Sequence, residues 1–134
     1  MYLLDTNIVS ELRKQKPHKG VLAWFAAVAE ESLYLSAVTL GEIQAGIEKT
    51  RSQDVRKALE IEGWLDSLAG TYNVLAVDAA IFRRWAQVMH GRPDHHIEDA
   101  LIAATALVRG LIVVTRSVRD FEPFGIQVLN PFGV

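Results

Sequence analysis

Residues 97–115 read IEDALIAATALVRGLIVVT, and this stretch decides the fold class. Ile97 to Arg109 is strongly apolar and Ala-rich, as expected of a helix with most of its surface in a core. Gly110 stops it, and Leu111 to Thr115 follows as a continuous apolar run. A run without polar alternation fits a strand buried on both faces, the usual state of a parallel strand between helical layers.

The same alternation recurs outward from this stretch. Tyr2 to Leu4 is a short strand ending at Asp5, and Thr6 to Lys14 shows helical spacing through Ile8, Val9 and Leu12. Lys16-Pro17-His18-Lys19-Gly20 breaks it, and Val21 to Glu31 reads as a second helix. Leu33 to Ala37 is a strand. Thr39 opens a helix carrying Leu40, Ile43 and Ile47, and Ser52 to Leu68 is a longer amphipathic helix ended by Gly70. Asn73 to Val77 is a strand, after which Asp78 caps a helix running to about His90. Beyond Thr115, Ser117 opens a short turn and Ile126 to Leu129 adds an edge strand. This order predicts an α/β fold: a mostly parallel sheet of about four to five strands with helices on both faces. Ligands of such sheets bind beyond the carboxyl ends of the strands.

With 134 residues and no linker or repeat, the expectation is one domain over residues 1–134. Cys is absent, which excludes disulfide frameworks, thiolate zinc sites and cysteine nucleophiles, and fits a reducing compartment. No apolar run approaches the roughly 20 residues of a membrane span. The opening Met1-Tyr2-Leu3-Leu4-Asp5 has no basic segment, so a cytoplasmic protein without signal peptide or membrane contact is expected. Lys plus Arg number 14 and Asp plus Glu 16, a net charge of 14 − 16 = −2. Taken alone, that balance argues against a nucleic-acid partner.

Acidic residues stand at the ends of strands and the starts of helices. Asp5 ends the first strand, Glu42 lies early in the helix after the second, and Asp120 lies five residues past Thr115. Asp99 sits early in the Ala-rich helix. Carboxylates converging at one end of a sheet need a bound cation or protonation, and all-oxygen donors suit Mg²⁺ or Mn²⁺. Each acid also has a local reading. Asp5 can N-cap the following helix, Thr39-x-x-Glu42 matches a capping box, Ser117-x-x-Asp120 is a looser one, and Asp99 complements a helix dipole. Asp78 has an equally good strand-then-acid context and reads only as a cap. Position alone does not separate Asp78 from Asp5.

Four motifs in order do separate them. Leu4-Asp5-Thr6-Asn7-Ile8, Leu35-Ser36-Ala37-Val38-Thr39-Leu40-Gly41-Glu42, Asp99-Ala100-Leu101-Ile102-Ala103-Ala104-Thr105-Ala106 and Val113-Val114-Thr115-Arg116-Ser117-Val118-Arg119-Asp120-Phe121 resemble the signatures of PIN-domain proteins. The similarity is to VapC-type toxins, including the FitB-like branch, and covers residues 2 to about 132. It implies a PIN-like fold and a metal site of Asp5, Glu42, Asp99 and a fourth group near Asp120, supported by Thr6, Asn7 and Thr115. Family members usually place an acid or Asn directly after the Thr-Arg pair. This chain has Ser117 there, which leaves Asp120 as the remaining acid.

The resemblance further implies an Mg²⁺- or Mn²⁺-dependent endoribonuclease, the toxin of a type II toxin–antitoxin pair, whose in-line attack leaves a 5′-phosphate and a 3′-hydroxyl. It also implies a homodimer and a cognate antitoxin through which alone DNA is bound. A cation held by Asp5 and Asp99 can lower the pKa of water and neutralise the scissile phosphate. Arg13, Lys14 and Arg116 are candidate RNA contacts, whereas Arg51, Arg56 and Lys57 read as solvated surface. His95 and Asp99 are spaced i, i+4, but His95-His96 reads first as a polar loop after Pro93-Asp94. Trp24, Phe25, Trp64, Phe82 and Trp85 read as core or dimer face. An inactive PIN-like binding module is the alternative that Ser117 supports. A phosphatase is disfavoured because the chain opens Asp5-Thr6-Asn7 rather than Asp-x-Asp. With three or four acids assigned to a cation, the remaining charge is near neutral or slightly basic, and the objection to RNA lapses.

Overall fold

A computed structural model describes residues 1–93 and 96–133. Among them, five strands alternate with seven α-helices. β1 (Tyr2–Leu4) leads to α1 (Thr6–Leu12) and α2 (Lys19–Ala27); β2 (Leu33–Ser36) to α3 (Ala37–Arg51) and α4 (Val55–Thr71). β3 (Asn73–Leu75) leads to α5 (Ala79–Met89) and α6 (Ile97–Arg109), β4 (Ile112–Val114) to α7 (Val118–Phe121), and β5 (Val128–Leu129) follows. The strand order is β3-β2-β1-β4-β5 and every pairing is parallel.

Alternation along the strands sorts the core into two layers. Leu4, Leu35 and Val114 face one side, packed against Ile8 and Val9 of α1, Ile47 of α3 and Leu65 of α4. Leu3 and Val113 face the other, against Ile102, Ala103 and Ala106 of α6 and Phe121 of α7. The small side chains of α6 let its backbone lie close to the sheet. Gly110 then ends it with φ +67°, its N–H bonded to Ala106 O, a left-handed turn that favours glycine. No described helix is long and apolar enough to cross a membrane.

Several boundaries differ from those read in the sequence. The helix expected over Val21 to Glu31 is two pieces, because Val28 is extended (φ −110°, ψ 137°) and a 3₁₀ turn occupies Glu30–Ser32. α4 begins after Asp54, whose carboxylate accepts from the Lys57 N–H, and runs through Gly70 instead of stopping there. The largest consequence comes from α3. It opens at Ala37, not Thr39, because Ser36 Oγ accepts from the Val38 N–H at 3.0 Å. Of the aromatic residues read as core or dimer face, Trp24, Phe25 and Trp64 pack on the core, while Phe82 is half exposed.

Candidate active site

The sheet order reverses about β1: the chain builds β2 and β3 on one side, then β4 and β5 on the other. Connections diverging at such a point leave a crevice at the carboxyl ends of the two central strands. Asp5 leaves β1 there and Thr115 leaves β4. Both are buried, and Thr115 Oγ1 donates to Asp5 Oδ2 at 2.8 Å. Asp5 Oδ1 accepts from the Thr6 N–H at 2.8 Å and so caps α1. One carboxylate therefore caps the helix and lines the crevice, a different oxygen serving each.

Glu42 comes from α3. The capping box expected of Thr39 and Glu42 does not form, since Ser36 caps the helix and Thr39 lies inside it, fully buried. Released from a capping task, Glu42 accepts from Thr6 Oγ1 at 3.0 Å. That hydroxyl also lies 3.2 Å from Thr39 Oγ1. Having one proton, it donates to the carboxylate, where the bond is charge-assisted. Thr6 thereby ties the first two acids together.

Asp99 projects from the first turn of α6, and Asp120 from α7. Ligand atoms of His96, Asp99 and Asp120 lie within 4.8 Å of one another, and His96 Nδ1 is 3.4 Å from Asp99 Oδ2. The Ser117-x-x-Asp120 box is absent too, since no side chain caps α7. Ser117 Oγ instead accepts from Asn7 Nδ2 at 3.1 Å, and the same amide lies 3.3 Å from Thr115 Oγ1. Asn7 Oδ1 accepts from the Arg116 N–H at 3.2 Å, and Ser117 N–H donates to Thr115 Oγ1 at 2.9 Å. Asn7, two residues past Asp5, thus ties the loop after β4 to the start of α1.

The acids disturb one another's ionisation. Burial pushes the Asp5 carboxyl up, bonds from Thr115 and Thr6 oppose this, and the Asp120 charge adds to it. Loss of hydration also raises Glu42, against the Thr6 bond and together with the charges of Asp5, Glu98 and Asp99. Asp99 is pushed up to about 6 by burial first and then by Asp5 and Asp120, with His96 pulling the other way. Strain of this kind is relieved by a proton or a cation. The carboxylates of Asp99 and Asp120 and the His96 imidazole form a set that could hold a divalent cation.

The three candidate RNA contacts have different settings. Arg13 is exposed, sits 5.9 Å from the Trp64 ring, and lines a hollow of about 250 Å³ with Thr6 and Glu42. Lys14 is paired with Glu11 at 2.9 Å, whose other oxygen takes the His18 N–H. Arg116 lies over the Phe132 ring at 4.5 Å. In the sequence the His95–Asp99 spacing stands out, but His95-His96 reads as a polar loop; His95 lies outside the described residues, and it is His96 that meets Asp99. The signal was present as an i, i+3 spacing, and a left-handed His96 (φ +65°) precedes the helix. Asp78 caps α5 and binds Arg109, as a structural acid should.

The PIN domain family model matches residues 2–122, a span that includes all four acids. The chain belongs to the PIN-domain family. Its relatives within that family are VapC- and FitB-type proteins. It is 37% identical to the VapC ribonuclease Y4jK of Sinorhizobium fredii, over 98% of each chain. It is 32% identical to the toxin FitB of Neisseria gonorrhoeae, over 98% of this chain and 99% of that one. The crystal structure of FitAcB from Neisseria gonorrhoeae superposes with a TM-score of 0.86 at 30% identity, covering 100% of both chains. This PIN domain has the all-parallel sheet and helical layers of that structure.

Proposed function

We propose that this chain is a VapC-type ribonuclease, the toxin of a toxin–antitoxin pair, cutting RNA by hydrolysis of a phosphodiester with Mg²⁺ or Mn²⁺. The observation that carries this reading is the mutual influence of four carboxylates: Asp99 and Asp120 cluster with His96, Asp5 and Asp99 act on Glu42, and Asp5, Glu42 and Asp99 are raised in pKa. Family membership supports the same activity class.

Asp5, Glu42, Asp99 and Asp120 would hold the cation, which when bound neutralises the phosphate and acidifies water. Thr115 and Thr6 keep Asp5 and Glu42 in fixed rotamers, so the site is organised before substrate arrives. Asn7 and Ser117 brace Thr115. Arg13, Lys14 and Arg116 supply positive charge toward the RNA backbone, where local potential counts for more than net charge. The unit acts as one domain over residues 1–134, as a cytoplasmic homodimer. It is restrained by a cognate antitoxin that alone brings it to DNA.

A second reading, a catalytically weak PIN-like module that binds RNA or protein, draws on Ser117, which replaces the usual acid or Asn with a hydroxyl engaged by Asn7. One experiment separates the two. Antitoxin-free protein is incubated with structured RNA, with and without Mg²⁺ or Mn²⁺, beside Asp5→Asn. Metal-dependent cleavage that disappears in the variant supports the nuclease. Binding without cleavage under every condition supports the module.

A further inference from the structure

Beside the acidic cluster lies a cavity of about 290 Å³, walled by Met89 of α5, Pro93, and Pro123 and Phe124 of the 3₁₀ turn after α7. It shares His96 and Asp120 with the cluster, so whatever fills it lies next to the candidate reaction centre. Two guanidinium groups line it as well. Arg92 is held rigidly: Nε donates to Val88 O at 2.8 Å, Nη2 to Pro123 O at 2.9 Å, and the group lies 5.2 Å from the centre of the Phe124 ring. Arg119 is exposed and has no ion pair or hydrogen bond among the described residues.

The volume sits near the lower end of the roughly 300–1,000 Å³ of small-ligand sites, enough for a base with its sugar. Unpaired bases of RNA stack on aromatic rings or on guanidinium planes, and the cavity lining offers one of each, Phe124 and Arg92. Arg119 adds an unneutralised charge for a flanking phosphate. A purely structural Arg92 would explain its own bonds but not the cavity, nor the free cation beside it.

We propose that this cavity binds the base and sugar of one unpaired nucleotide next to the scissile phosphate, and so sets which RNA sequence is cut. The proposal rests on the ribonuclease reading above, and its test keeps the two apart. The chain has two methionines, Met1 and Met89, so a methyl-labelled sample reports on the cavity through one resonance. The four nucleoside 5′-monophosphates are titrated into full-length Asp5→Asn protein, alone and with Phe124→Leu or Arg119→Ala added. In parallel, the active-site-intact forms cleave RNA oligonucleotides that vary at each position beside a single cut.

One nucleotide should shift Met89 most strongly, and Phe124→Leu, which keeps apolar bulk but removes the ring, should weaken it about tenfold. Preference for the matching base at one position should fall by a similar factor, while the best-cut RNA is still cleaved and the melting temperature holds. Unchanged nucleotide binding and unchanged base preference in both variants would overturn the proposal, as would the absence of any Met89 shift. Wild-type protein that cleaves no RNA overturns the ribonuclease reading instead, and the Met89 titration then decides the cavity independently.

Discussion

Thr115 and Asp5 come from strands 110 positions apart in sequence, yet the hydroxyl of one donates to the carboxylate of the other at 2.8 Å, both side chains buried. The bond spans the two central strands where the sheet order reverses. It has a thermodynamic sign: it lowers a carboxyl that burial raises. Thr115→Val keeps the shape and removes the donor. The expected cost is about 1.5–3 kcal/mol, the range for a hydrogen bond to a charged group, read as a lower denaturation midpoint at neutral pH. Asp5 then titrates at higher pH, so the acid limb of the cleavage profile moves up. Activity at neutral pH should fall about tenfold, as when the partner of a metal-binding carboxylate is removed.

Asp99 carries a pH dependence of the opposite kind. Its carboxyl is pushed up to about 6, so the metal-free fold binds a proton there more tightly than the unfolded chain does. The resulting stability is fully present below the ordinary Asp range and is lost as pH rises through about 6. Metal-free protein should therefore lose about 1–3 kcal/mol between pH 4 and pH 7.5 from this group, and Asp99→Asn should remove that slope. Mg²⁺ or Mn²⁺ should raise the melting temperature at pH 7.5 and do so far less at pH 5, where protons compete. Calorimetry of both proteins across pH, with and without metal, checks each part.

A close backbone approach ties Arg116 to the far end of the chain. A Cβ on Gly20 would lie 2.5 Å from Pro131 O, an impossible separation, so α2 and the segment before Phe132 fit only with glycine there. His18 packs on Phe132 at 5.0 Å between ring centres, and Arg116 lies over the same ring. Gly20→Ala should cost about 1–3 kcal/mol by forcing these elements apart. If Arg116 contacts RNA as proposed, RNA affinity should drop as it loses its support, while metal affinity at the proposed acidic site stays unchanged. An RNA-binding titration beside a metal titration separates the two effects.

The parts of the fold legible in sequence were those where local pattern and tertiary role agree. The apolar run around Val113 is buried on both faces, and its composition says so. Asp5 follows a strand and precedes a helix, so its place at a strand end was readable as well. Thr39 and Ser36 are both acceptable caps three residues apart, and local chemistry does not choose between them. Ser36 takes the cap, and Glu42, left without a capping task, accepts from Thr6 of another element, a contact no local pattern announces. Likewise, pairing of a histidine with Asp99 depends on the turn at His96, whose left-handed backbone no periodicity reveals. That Asp120 reaches Asp99 is a matter of how α7 docks on α6, which is a tertiary fact.

Asp78 tests whether the structural distinction between capping and site acids is real, because its sequence context equals that of Asp5. It follows β3, at the edge of the sheet and away from the switch point. Its Oδ1 accepts from the Ile81 N–H at 3.0 Å and its Oδ2 meets Arg109 at 2.8 Å, so both oxygens serve the α5–α6 pair. Asp78→Ala should cost about 1 kcal/mol for the cap, and the half-exposed ion pair adds between zero and about 1 kcal/mol more. RNA cleavage per folded molecule and metal affinity should stay at wild-type values, in contrast to Asp5→Asn. Side-by-side kinetics and melting curves decide it. Loss of cleavage in Asp78→Ala with the fold intact would mean that the strand-end acids act as a larger group than the switch-point geometry allows.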